Sequence, residues 1–110
     1  MAGMYCIYDL LELSLREGAE ELRLRTSKAP IMVIQGESIA IDVPAMSTDD
    51  VTELFQSVAT GEQLKELHAC GDVHFIYVFE DSARFSVTAK MERDALDVNF
   101  RNITGVFDRH

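Results

Sequence analysis

His68, Cys70 and His74 stand close together in a chain of 110 residues. A His-x-Cys pair with a second histidine could hold a metal or activate a thiol. The spacing matches no standard zinc pattern and no fourth ligand is evident, so no metal site is expected. A nucleophilic cysteine needs a base and a third group to orient that base, and it gains from a helix N-terminus. Cys70 instead lies beside Gly71, a helix-ending glycine. The expected state of Cys70 is therefore a buried, inert thiol, with His68 on a helix surface and His74 on the less buried face of a strand. Carboxylates gather at Glu20-Glu21, Asp49-Asp50 and Glu80-Asp81. Turns and helix caps use acids structurally, which accounts for them. No Gly-x-x-x-x-Gly-Lys-Ser/Thr occurs, so nothing in the chain would cradle the phosphates of ATP. No cofactor is expected, and the chain reads as non-catalytic.

Arg84 and Arg101 are the residues selected as a candidate binding site. Arg84–Met91 and Ala95–Ile103 read as the arms of a hairpin. With a two-residue loop at Glu92-Arg93, Phe85 faces Phe100, Val87 faces Val98 and Ala89 faces Leu96. The same register opposes Ser86 to Asn99, Thr88 to Asp97, and Arg84 to Arg101. Two like charges opposed across a hairpin cost stability unless something offsets them. A carboxylate of the chain could do so; the other reading is a bound anion or an acidic partner surface. A guanidinium pair suits phosphate or carboxylate because each presents a planar fork of donors.

The elements that must position these residues follow from periodicity. Met4–Arg16 reads as a helix, with Ile7, Leu10, Leu11, Ser14 and Leu15 as its inner stripe and Tyr5 and Tyr8 on its flank. Gly18 suits the left-handed position that closes it. Glu21–Arg25 is a short strand with Leu22 and Leu24 on one face. Ile31–Gln35 and Ser38–Val43 form a hairpin about Gly36-Glu37. Glycine at the first turn position indicates type II′ and pairs Ile34 with Ile39 and Met32 with Ile41. Pro44 stops that strand. Ser47 and Thr60 are N-caps, with Asp50 and Gln63 three residues on. Val51, Leu54, Phe55 and Val58 make the clearest amphipathic stripe, and Leu64 and Leu67 are the core contacts of the next helix. From Asp72 the period is two: Val73, Phe75, Tyr77 and Phe79 alternate with His74, Ile76 and Val78. A strand apolar on most of both faces is expected to be central. Asp81-Ser82 turns the chain into the last hairpin.

These motifs, in this order, resemble the N-terminal domain of the twitching-motility ATPases, the retraction motors of type IV pili, which are relatives of the type II secretion ATPases. The resemblance rests on Leu10-Leu11, Gly18-Ala19-Glu20-Glu21-Leu22-Arg23-Leu24, Pro30 and Gly36. It continues through Asp72-Val73-His74-Phe75, Arg84-Phe85-Ser86-Val87-Thr88 and Phe100-Arg101-Asn102-Ile103, and so spans residues 7 to 103. Glu20-Glu21 stands where the family has Ser-Asp, Arg23 where it has His, Ile34 where it often has Arg, and Ser86 where it has a second Arg. The resemblance implies a PAS-like α+β domain: a mixed or antiparallel sheet of about six strands with helices packed on one face. It also implies that Arg84 and Arg101 face the nucleotide held by a motor domain, across a domain or subunit boundary. The motor domain itself is not in this sequence. The domain is expected over 1–103, with 104–110 a tail or the start of a linker. The chain is either a detached piece of an ATPase or a stand-alone relative.

Length allows one domain with a modest core. The net charge of −9, from 19 acids against 10 bases, argues against nucleic acid or an anionic membrane as the main partner. Cys6 and Cys70 are far apart, and Met1–Tyr8 is too short for a signal peptide or a membrane span. A cytoplasmic protein with reduced thiols and no membrane insertion is expected. The leading functional reading is an assembly or regulatory module related to pilus and secretion ATPases. Its expected partner is a protein, an ATPase motor domain with its bound nucleotide or another protein, with oligomerisation left open. A small-ligand sensor using a PAS-like pocket is the alternative, and a small thiol or metal enzyme the remote one.

Overall fold

The computed structural model describes residues 6–81 and 83–104. The first helix, α1 (Ile7–Arg16), buries Ile7, Leu10, Leu11 and Ser14, and Cys6 precedes it as the N-cap. Met4 and Tyr5, which the periodicity assigns to this helix, lie outside the described residues. Two hydrogen bonds close α1: Gly18 N–H to the Leu15 carbonyl at 3.2 Å and Ala19 N–H to the Ser14 carbonyl at 2.8 Å. That pair is the Schellman arrangement, and it needs the positive φ of 72° that Gly18 supplies.

Six strands follow the order β3-β2-β1-β6-β5-β4, and every pairing is antiparallel. They are β1 (Glu21–Arg25), β2 (Ile31–Ile34), β3 (Glu37–Ala40), β4 (Asp72–Phe79), β5 (Ala83–Glu92) and β6 (Ala95–Asn102). The sheet is thus two three-stranded meanders joined side by side through β1 and β6. Between them the chain makes α2 (Thr48–Gln56) and α3 (Gly61–Cys70). Ser47 and Thr60 each form a capping box, Ser47 with Asp50 and Thr60 with Gln63. Each box satisfies two backbone donors that a helix start leaves open. Gly71 ends α3 in the left-handed conformation, at φ 85°.

The three helices pack on one face of the sheet, where the core lies. Phe55, Phe85 and Phe100, with Leu11, Leu22, Leu24, Leu67 and Leu96, are each less than 2% exposed. A line of rings runs through it, from Tyr8 to Phe79 at 5.1 Å, on to Phe85 at 6.4 Å and to Phe100 at 6.3 Å. Such tilted and edge-on pairs add to the stabilisation that burial alone provides.

Three expectations about the sheet are corrected. In the first hairpin Met32 pairs with Ile39 and Ile34 with Glu37, so the turn is Gln35-Gly36 and not Gly36-Glu37. Both turn residues have positive φ, 51° and 81°, as type I′ requires. β3 also ends at Ala40, short of Val43 and Pro44. In the last hairpin Glu92 pairs with Ala95, so the loop is Arg93-Asp94 and every expected pair moves by two residues. Phe85 meets Asn102, Val87 meets Phe100 and Ala89 meets Val98. Finally, β4 is an edge strand and not a central one. Its second apolar face is solvent-facing, with Ile76 47% and Val78 48% exposed.

Candidate functional site

The face of the sheet turned away from the helices is the candidate site. Its side chains stand in rows set by the registers. One row runs Asp72, Lys90, Asp97 and Arg25 from β4 to β1. The next runs His74, Thr88, Asn99, Arg23 and Ile31 from β4 to β2. A third runs Ile76, Ser86, Arg101, Glu21 and Val33. Arg84 lies beyond it on β5, opposite Val78 of β4.

Arg84 and Arg101 therefore share the open face, but they are not opposed. Arg101 is directly across from Ser86 on β5 and from Glu21 on β1. Arg84 is its diagonal neighbour, which the two-residue change of register explains. The expected like-charge opposition is removed, and with it the stability cost inferred from it. Arg101 is exposed and Arg84 half-buried. The Arg84 backbone is held at the sheet end: its N–H donates to Thr104 Oγ1 at 3.0 Å, and its carbonyl accepts from Ile103 N–H at 2.9 Å. The Glu21 carboxylate beside Arg101 is engaged by Arg23 Nε at 3.0 Å.

The histidines and cysteines separate. His68 is exposed on α3 and His74 is exposed on β4, where its Nε2 lies 2.6 Å from Ser86 Oγ. Among the described residues no further hydrogen bond orients the His74 ring, which a serine–histidine catalytic pair needs. Cys70, expected to be buried, is exposed, as is Cys6. It is the last residue of α3, and the αL turn at Gly71 leaves its side chain in solvent. Among the described residues no three His, Cys, Asp or Glu side chains gather as metal ligands would.

One titration is displaced. Tyr8 donates its hydroxyl to Glu80 Oε2, across the gap between α1 and the β4–β5 turn. That bond, with some loss of solvation and the negative charges of Glu80, Glu12 and Asp9, pushes the phenol up to about 12.

A hollow on the open face lay outside the sequence-selected residues. It is lined mainly by Arg23, Arg25, Thr88, Lys90, Asp97 and Asn99, is open to solvent on one side, and has a volume of about 430 Å³. Period-two alternation places each of these residues outward on its own strand. Their meeting depends on the pairing of β1 with β6, which join residues some seventy positions apart (Leu24 with Val98, for example). No local signal in the sequence announces that pairing.

No protein-family model matches the chain. It is 26% identical over 97 residues to the type IV pilus retraction ATPase PilT of Pseudomonas aeruginosa, a match covering 88% of this chain and 28% of that protein. The crystal structure of the pilus retraction motor PilT with bound ADP superposes with a TM-score of 0.80 at 21% identity, over 88% of this chain and 29% of that one. The ATPase DotB of Legionella pneumophila superposes at 0.77 with 18% identity, over 91% of this chain and 30% of that one. The chain thus spans less than a third of the length of the relatives it matches. The similarity lies with their N-terminal domain, a portion that lacks the catalytic motor. The α+β architecture, with six antiparallel strands and three helices, is the same. Among the described residues no helix is long and apolar enough to cross a membrane.

Proposed function

We propose that this chain is a non-catalytic assembly or regulatory module of the pilus-retraction and secretion ATPase type, acting in the cytoplasm by contact with an ATPase motor domain. The observation that carries the reading is the sequence match to a pilus retraction ATPase across 88% of the chain. The absence of a phosphate-cradling loop from the sequence supports a role without ATP turnover of its own. The contact surface is the end of the open sheet face that carries Arg84 and Arg101, which reach the motor domain or the nucleotide it holds. Guanidinium groups offer directed, charge-assisted hydrogen bonds to phosphate or carboxylate. Residues 1–103 form the working unit in this reading, and 104–110 are a tail or the start of a linker. A role in twitching motility follows if the motor is a pilus motor.

Calorimetric titration of the chain against a PilT motor domain, empty and loaded with ADP, tests the proposal. Binding that strengthens on loading and disappears in the Arg84→Ala/Arg101→Ala variant is expected. A chain that ignores both motor states, or that hydrolyses ATP unaided, rules the reading out.

A further inference from the structure

The hollow between β1, β5 and β6 is a separate feature of the open face. Lys90 lies six residues from Arg84 along β5, about 20 Å in an extended strand, while Arg101 stands two residues from Asn99 on β6. Charge is unevenly shared over the molecule. The strand positions facing this side hold five of the ten basic residues (Arg23, Arg25, Arg84, Lys90 and Arg101) but four of the nineteen acidic ones (Glu21, Asp72, Glu92 and Asp97). This face is thus +1, while the rest of the chain is −10. Within the hollow Asp97 is directly across from Lys90 on one side and from Arg25 on the other. Among the described residues the ion pairs are Arg16 with Glu12 and Arg23 with Glu21, so the Arg25, Asp97 and Lys90 charges are not spent on one another. Asp97 places an acceptor between the two cations, and Asn99 lines the hollow beside it.

We infer that this hollow binds a small organic phosphate that also carries hydroxyl or amino donors, as sugar phosphates and nucleoside monophosphates do. The phosphate oxygens take the Arg25 and Lys90 cations, with Arg23 beside them. The ligand's donors satisfy the Asp97 carboxylate, and its body lies against Asn99. A volume of about 430 Å³ accommodates a molecule of that size. The site does not depend on the motor-docking role of Arg84 and Arg101.

Titration of the isotope-labelled chain with ribose 5-phosphate, followed by amide NMR shifts, tests this, with ribose and inorganic phosphate run in parallel. Saturable shifts centred on Arg23, Arg25, Lys90 and Asn99 are expected, with inorganic phosphate binding more weakly and ribose not at all. Arg25→Ala and Lys90→Ala should each weaken binding by at least about tenfold. Arg16→Ala on α1 should leave it unchanged, and the dispersion of the same spectra reports whether each variant is folded. The inference is overturned by the absence of saturable shifts, by affinity indifferent to both substitutions, or by inorganic phosphate matching ribose 5-phosphate, which would mean charge attraction alone. Shifts at these positions that require an added motor domain would overturn it too, because the hollow would then be part of a protein contact.

Discussion

The two faces of this sheet are made by the same strands, one residue apart, and they carry different kinds of information. Under the helices Phe85, Val87 and Ala89 alternate along β5 and meet Val98 and Phe100 of β6 in a dry layer. On the other side Arg84, Ser86, Thr88 and Lys90 of the same strand stand half or fully in solvent beside Asp97, Asn99 and Arg101. The inner face depends on which side each residue points to. The outer face depends on which residue it points at. Packing is tolerant of the second question, because any apolar neighbour of fitting size removes the same surface from water. Charges and hydrogen bonds are not tolerant of it, since their partners must be specific.

Substitutions on one strand break or sharpen this contrast most strongly. Phe85→Ala should lower the unfolding free energy by about 3–5 kcal/mol, as aromatic-to-alanine changes in cores do. Thr88→Ala, three residues along on the open face, should stay within about 0.5 kcal/mol. Urea unfolding of both variants measures the difference, and equal losses would erase the distinction between the faces.

The helix layer that covers the inner face offers a middle-sized test. Ser47 Oγ accepts from Asp50 N–H at 3.1 Å and Thr60 Oγ1 from Gln63 N–H at 3.2 Å. Replacing either cap with Ala should cost about 1 kcal/mol. Thermal unfolding should show the two losses adding when combined, because the caps start different helices. A cap variant that left stability untouched would mean that α2 or α3 is held by packing alone.

The inner face was legible in the sequence, and so were the elements that cover it. Gly18, Ser47, Thr60 and Gly71 mark helix ends by local chemistry, and all four do so in the structure. The stripe Val51, Leu54, Phe55 and Val58 is buried as its spacing requires. Register was not legible, for a definite reason. Both hairpins differ from expectation by two residues, and a two-residue slip returns every side chain to its own face. The apolar ladder Phe85, Val87, Ala89 against Leu96, Val98, Phe100 satisfies either pairing. The choice lies in the turns, where Gln35 and Arg93 accept positive φ without being glycine. Sequence rules favour glycine or asparagine at such positions. The edge position of β4 was hidden because Ile76 and Val78 imitate a buried second face, whereas the structure leaves both in solvent. The candidate site inherits these difficulties: Arg84 and Arg101 were selected on an assumed register that opposed them, together with the family resemblance, and the actual register makes them diagonal neighbours.

A smaller effect separates the rim of the molecule from both faces. The hydrogen bond to Glu80 is the main reason that Tyr8 keeps its proton up to about pH 12, against an ordinary value of 10.0. The raised folded value sets the sign. The bond's contribution to stability is complete below pH 10, and it drains away as pH rises through about 12. Phenolate absorbance of the folded chain should therefore show a late-titrating tyrosine that Glu80→Gln brings down and Tyr8→Phe removes. Unchanged titration in both variants would remove the bond from the account.

The measurement closest to the centre of this account puts both faces into one sample. The Arg84→Ala/Arg101→Ala chain is unfolded in denaturant and, in parallel, titrated against a nucleotide-loaded motor domain. If the open face serves recognition while the covered face holds the fold, stability stays within about 1 kcal/mol of the unaltered chain and binding is lost. Retained binding contradicts the account. A chain that unfolds on losing the two guanidinium groups contradicts it as well, because the arginines would then belong to the fold and not to the partner.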